Sequence, residues 1–246
     1  MIIHLHGDLP TLLPRVFRGQ SRIEAALSRR TNVKDLVEAY DVPHTEVGRL
    51  TVDGREVDFR HIVLETERIE VYPVTAPVDL FRPTLLRPQP IPRIAFIVDQ
   101  NVGKLAPFLR LAGFDALYHH GISDTELAEL AQRTKRILLS KDKGLLRRKV
   151  VEFGRLVREI MPERQLAEII TLFGLHGEVQ PFSRCLRCNE GFLEPVDKEL
   201  ILDRLEPLTI KCYEQFCICN RCARIFWKGS HQEKMRQMLT RIGVAS

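Results

Sequence analysis

Hydrophobic positions fall into two patterns along this chain. In the first third the apolar runs are short and bounded by turn residues. Ile2–Leu5 has strand length, whereas Leu12, Val16 and Phe17 precede a polar stretch with no clear period. Val33, Leu36, Val37 and Tyr40 recur at intervals of three and four, the spacing of one helix face, and Asn32 or Thr31 stands where a cap belongs. Val47–Val52, a turn at Asp53-Gly54, the run Val57–Phe59 and a last strand Ile69–Tyr72 follow. Asp-Gly between alternating segments is a hairpin signal, because both turn positions need positive φ. The order of strands around one helix predicts an α+β β-grasp domain over residues 1–75.

Residues 76–92 break the pattern. Pro77, Pro83, Pro88, Pro90 and Pro92 crowd this stretch, and proline removes an amide donor and fixes φ, so a Pro-rich linker is expected. Beyond it the apolar runs become continuous. Ile94–Val98, Phe114–Tyr118 and Ile137–Ser140 have strand length, and helical stretches lie between them: Leu105–Leu111, beginning near Pro107, and one opened by Ser123-Asp124-Thr125-Glu126. Apolar strands alternating with helices predict a parallel sheet covered on both faces, an α/β domain over residues 93–180.

Charge sharpens this division. Residues 1–92 hold 12 basic and 13 acidic side chains, and residues 93–246 hold 25 and 19, so the net charge of +5 arises in the second part. Eight cations lie between Arg133 and Lys149 against one anion, Asp142. Such a run reads as a phosphate-backbone footprint or as a solvated helix face. With 44% hydrophobic and 28% charged residues the chain has material for cores, which excludes disorder as the main state. Its longest apolar runs are far below the ~20 residues that cross a bilayer. The first residues lack a basic segment followed by an apolar core, so a cytoplasmic location is expected and no membrane partner.

Asp99 follows the first strand of the second sheet and Asp142 the third, and Asp124 opens the intervening helix. Ligands of open parallel sheets bind beyond the carboxyl ends of the strands. Carboxylates gathered there repel one another unless a divalent cation relieves them, and Mg²⁺ or Mn²⁺ suits hard oxygen ligands and phosphate chemistry. Each acid also has a local reading. Ser123 or Asp124 can cap a helix with Glu126 completing the box, and Asp142 beside Lys143-Gly144 can be a turn residue.

All six cysteines lie in residues 185–222. Cys185-x-x-Cys188 and Cys219-x-x-Cys222 are two knuckles thirty residues apart, which predicts one closed, structural four-cysteine zinc site on a small β-ribbon, followed by a C-terminal helix, over residues 181–240. Cys212 and Cys217 are extra, and Cys217 competes with Cys219 as a ligand. Downstream, Trp227, Lys228 and His231 are an aromatic and cationic group that lines a ligand path or simply packs and caps.

Two resemblances rest on these residues. Val33–Glu38, Val42–Val47, Val52–Val57 and Ile69–Pro73 resemble small ubiquitin-like sulfur-carrier domains. Those carriers end in a free Gly-Gly. Here the strand runs on into Pro73-Val74-Thr75, so the domain reads as an interaction or RNA-docking module. Val98–Leu105, Leu109–Asp115, Ser123–Leu127 and Arg136–Asp142 with Gly144-Leu145, together with the cysteine module, resemble the PIN-type ribonuclease domain named after the C-terminal part of the Mut-seven exonuclease. That resemblance implies a PIN-like fold and metal-dependent cleavage of RNA. Asp99, Asp124 and Asp142 are its acids, with Glu126 and then Asp115 as candidates for the fourth. It places Asn101 beside Asp99, and Lys104, Arg110 and Lys143 on phosphates. Lys141, Arg147, Arg148 and Lys228 complete the expected RNA contacts. The alternatives are a non-catalytic RNA-binding module and a protein-interaction adaptor recruited through the ubiquitin-like domain.

Overall fold

The computed structural model describes residues 1–27 and 29–244. Its first sheet is built from β1 (Ile2–Leu5), β2 (Arg22–Glu24), β3 (Val47–Val52), β4 (Arg55–Glu56) and β5 (Arg68–Pro73), with helix α1 (Val33–Ala39) between β2 and β3. The order is β2-β1-β5-β3-β4, and the central pair β1 and β5 runs parallel. Ile3, Leu5, Leu50, Val52, Ile69 and Val71 are buried at alternate positions, the period of a strand with one covered face. Asn32 caps α1 by accepting the Asp35 amide at 2.8 Å, and the helix buries Val33, Leu36 and Val37. Asp53 and Gly54 have φ of 48° and 80°, and the hairpin they close pairs Val52 with Arg55. The paired residues are therefore Arg55–Glu56 rather than the expected run Val57–Phe59, because a two-residue turn zips from its closing pair. The tentative second strand of the expected order is present as β2, weakly marked because only Ile23 of its three residues is buried.

The remaining elements are β6 (Ala95–Val98), α2 (Leu105–Leu111), β7 (Asp115–Tyr118), α3 (Asp124–Thr134), β8 (Ile137–Ser140), α4 (Lys143–Leu146), β9 (Gly154–Leu156), α5 (Pro162–Leu172), β10 (Leu193–Val196), α6 (Pro207–Cys212), β11 (Phe216–Cys219), β12 (Ile225–Trp227) and α7 (Ser230–Arg241). The chain as a whole divides into two compact units. The first joins Met1–Asn101 to His119–Val157, and the second joins Val102–Tyr118 to the chain from Arg158 onward.

In the first unit β6, β8 and β9 run parallel, with Val98 beside Leu139 and Ser140 beside Leu156. Every residue of β6 and β8 is buried, as expected for strands covered on both faces. The proline-rich stretch carries no helix or strand, yet it buries Leu80, Leu86 and Ile91. In the second unit α2 packs on α5 and β7. Helix α2 starts at Leu105 and accommodates Pro107 in its first turn, where the missing amide has no intrahelical partner to lose. The antiparallel ribbon β10-β11-β12 follows. No helix among the described residues is long and apolar enough to cross a membrane.

Candidate active site and metal centre

Strands β6 and β8 bring Asp99 and Asp142 to the same sheet edge. The Asp99 amide donates to Leu139 O at 3.0 Å, which sets Asp99 beside Ser140. The Ser140 hydroxyl donates to Asp99 Oδ2 at 2.7 Å and accepts the Asp142 amide at 2.8 Å. Asn101 closes the group: its Nδ2 donates to Ser140 Oγ at 3.3 Å and its Oδ1 accepts the Lys141 amide at 3.0 Å. Asp99 and Ser140 are buried, whereas Asn101 and Asp142 are exposed. Asp142 caps α4, with Oδ1 accepting from Gly144 N at 2.6 Å and Leu145 N at 3.3 Å. Its cap and its place at the strand end are compatible, because only one oxygen is used. Asp99 Oδ1 and Asp142 Oδ2 accept no hydrogen bond among the described residues.

Asp124 is the first residue of α3, half-buried, and Ser123 is the cap. Ser123 and Glu126 form a reciprocal capping box, and hydrogen bonds from Ser123 hold the Glu126 carboxyl below its ordinary range. The neighbouring Thr125 accepts from Arg148 Nη1 at 3.1 Å, which ties the start of α3 to the end of α4. Asp115 lies in the second unit, bonded to Asn189 Nδ2 at 2.6 Å. The three aspartates do not form a group close enough to share an ion as they stand. Among the described residues only the cysteine quartet does.

Much of the basic run already has partners within the protein. Lys135 pairs with Glu152 at 2.9 Å, and buried Arg136 donates to Phe96 O at 3.1 Å. Lys143 Nζ donates to Leu12 O, and Arg147 Nη1 donates to Glu38 O and Asp41 Oδ1. Lys141 is half-buried at the acidic edge. In the second unit Lys104 and Lys228 are exposed, whereas Arg110 is buried. The Arg110 guanidinium donates to Ala116 O, Leu186 O and Arg187 O at 2.9–3.0 Å, and burial lowers its pKa. It thereby bridges β7 and the carbonyls of the first cysteine knuckle. Asn189, next to Cys188, also bonds Ala116, accepting its amide at 2.9 Å.

Cys185, Cys188, Cys219 and Cys222 converge with all sulfurs within 4.8 Å of one another. The cross-knuckle separations are 3.6 Å for Cys185–Cys222 and 3.4 Å for Cys188–Cys219. A tetrahedral zinc with bonds of about 2.3 Å spaces its sulfurs about 3.8 Å apart, so the quartet fits that ion. Backbone amides converge on the sulfurs: Arg187 and Cys188 on Cys185, Glu190 on Cys188, Arg221 and Cys222 on Cys219. Burial pushes the Cys185 thiol up to about 12. It also opposes Cys219, which the amides and the neighbouring cysteines nevertheless bring down to about 7. Cys212 is exposed at the end of α6, and Cys217 lies on β11 opposite Pro195 and Phe226, so neither joins the quartet. Trp227 lies against Tyr213 and Phe216, with its ring centroid 6.4 and 6.3 Å from theirs, and His231 is exposed on α7.

A family model described as the Mut7-C RNAse domain matches residues 94–239, a span that contains the acidic edge and the quartet. The chain belongs to the Mut7-C RNAse family. A second model, described as Mut7-C ubiquitin, matches residues 1–79, so the first sheet and its helix are the ubiquitin-like domain that precedes the RNAse domain. Comparison with curated proteins and with solved structures gave no match. Sequence reasoning missed Ser140 and Asn189 as organising residues. Neither carries a local signal, since their partners Asp99 and Asp115 lie 41 and 74 residues away.

Proposed function

We propose that this Mut7-C RNAse chain hydrolyses RNA phosphodiester bonds at the carboxyl ends of β6 and β8. Asp99 and Asp142 would hold Mg²⁺ or Mn²⁺ at the strand ends, and Asp124 with Glu126, both in the first turn of α3, would complete the acids as that turn closes on the ion. The observation that carries this reading is the link from the Asp99 carboxylate through the Ser140 hydroxyl to the Asp142 amide, which ties two acids together just past the ends of adjacent parallel strands. Carboxylate oxygens are the hard donors these ions prefer, and both acids keep an oxygen outside the internal hydrogen bonds. A bound ion supplies Lewis-acid chemistry at a phosphate oxygen.

The chain's own residues set the geometry. Ser140 holds the Asp99 carboxylate in one orientation. The Gly144 and Leu145 amides take one oxygen of Asp142 and leave the other outside these bonds. Asn101 fixes the backbone at Lys141, between Ser140 and Asp142. We place Lys141, Lys104 and Lys228 on the RNA backbone. The internal bonds of Arg110, Lys143 and Arg147 favour supporting roles for them, and Arg148 is shared with Thr125. The cysteine quartet holds structural zinc with no open position.

Metal add-back tests the reading. Protein dialysed free of Mg²⁺ and Mn²⁺ but retaining zinc should leave labelled single-stranded RNA intact, and added Mn²⁺ should restore cleavage. A second reading, RNA binding without cleavage, is favoured by the capping bonds of Glu126 and Asp142. Retention of RNA with no cleavage at any Mn²⁺ concentration would decide for it.

A further inference from the structure

The ubiquitin-like domain is tied to the stretch of chain that begins at the acidic edge. Helix α4 has four residues, too few to stand alone, and Asp142 is its cap. The helix's first residue, Lys143, and its C-terminal cap, Arg147, are both taken up by the ubiquitin-like domain. Lys143 Nζ donates to Leu12 O, and Arg147 Nη1 donates to Glu38 O at 3.0 Å and Asp41 Oδ1 at 2.6 Å. The strand that follows is gripped as well. Glu46, whose side chain is fully buried, accepts from Arg155 Nη1 at 2.6 Å and from the Leu156 amide at 2.8 Å. Buried His44 joins Glu38 on Nδ1 and Val151 O on Nε2, each at 2.6 Å. Arg87 braces the gripping segment through the carbonyls of His44, Thr45 and Val47, and burial lowers its pKa to about 10.

Packing repeats the message. A Cβ on Gly154 would stand 2.8 Å from Leu146 Cδ2 and 3.2 Å from Thr45 Cγ2, so β9, α4 and the ubiquitin-like domain meet at a point where only glycine fits unstrained. An exposed ion pair alone contributes little to such a contact. A buried carboxylate is different, because it is stable only where its partners stand in place. Glu46 therefore specifies where Arg155 and Leu156 must be, and Ser140, paired with Leu156 across the strands, is specified with them.

We propose that the ubiquitin-like domain acts as a clamp in cis on residues 142–157, with Glu46 and Asp41 as positioning residues for Asp142. This rests on the reading of Asp142 as a metal ligand in its consequence for metal binding; the clamp itself does not. The surface around residues 38–46 is thus used internally, and Lys143 and Arg147 serve as handles rather than as RNA contacts.

The test uses the full chain carrying Asp41→Asn or Glu46→Gln, with Glu56→Gln on the exposed hairpin as control. Asp41 has φ of 62°, a conformation that asparagine also tolerates, so its substitution removes the charge without breaking the turn. Amide exchange of peptides spanning residues 142–157 and Mn²⁺ binding by calorimetry are read together, with zinc content as the folding check. The clamp predicts faster exchange in residues 142–157 for both variants and Mn²⁺ binding about tenfold weaker, the usual effect of losing a group that orients a ligand. The control should match the wild type. Unchanged exchange in residues 142–157 overturns the clamp. Faster exchange with unchanged Mn²⁺ affinity overturns the positioning role. Should the wild type bind no Mn²⁺, the metal-site reading fails and exchange alone decides the clamp. Should Glu46→Gln fail to fold, Asp41→Asn, at the half-exposed pair, carries the test.

Discussion

Ser140 does two jobs with one hydroxyl. It donates to a buried carboxylate and accepts the amide that leads into the next helix. Ser140→Ala would leave Asp99 without its donor and the Asp142 amide without its acceptor. The expected cost is about 1–3 kcal/mol in urea unfolding, the range for leaving a buried polar group unsatisfied, and RNA cleavage should fall with it. An unchanged midpoint would show that water replaces the hydroxyl. Asp99 and Asp142 were legible because strand ends are marked by apolar runs. Arg110 reads in sequence as one more helical cation, but it is buried beneath a knuckle 76 residues away. No local pattern separates a cation that meets solvent from one that meets distant carbonyls.

At the level of elements, chemistry that is local in sequence was readable and chemistry that is not was hidden. The Asn32 cap, the Asp53-Gly54 hairpin and the Ser123–Glu126 box all act within a few residues of themselves. Strand β9 has three residues and no alternation to reveal it; it exists because β8 pairs with it and Glu46 bonds its last amide. Gly154→Ala on this strand should destabilise the protein by about 1–3 kcal/mol, the cost of overpacking a filled site. Thermal unfolding checks this, and wild-type stability in the variant would mean that Leu146 moves aside freely. In the ribbon, Cys188→Ser removes one of four ligands. Zinc content should fall from one per chain towards none, and exchange in residues 181–229 should rise while that of residues 1–75 stays at the wild-type level.

For the whole molecule, the basic excess after residue 92 is less a stripe for RNA than the sequence suggests. Arg136, Lys143 and Arg147 spend their charge on internal carbonyls and on Asp41, so neutralising them should alter stability more than RNA affinity. Lys141, Lys104 and Lys228 should show the reverse, with weaker RNA binding and a shallower salt dependence at wild-type stability. The central claim is that Asp99 belongs to a metal-dependent nuclease site. The measurement that tests it most directly compares wild-type and Asp99→Asn protein, each with its zinc intact, for cleavage of labelled single-stranded RNA in Mn²⁺. Cleavage by the wild type and a loss of about a hundredfold or more in Asp99→Asn is the predicted result, since groups that only orient a metal ligand are worth about 10–100-fold and a ligand itself more. Equal cleavage by the two proteins would contradict the account.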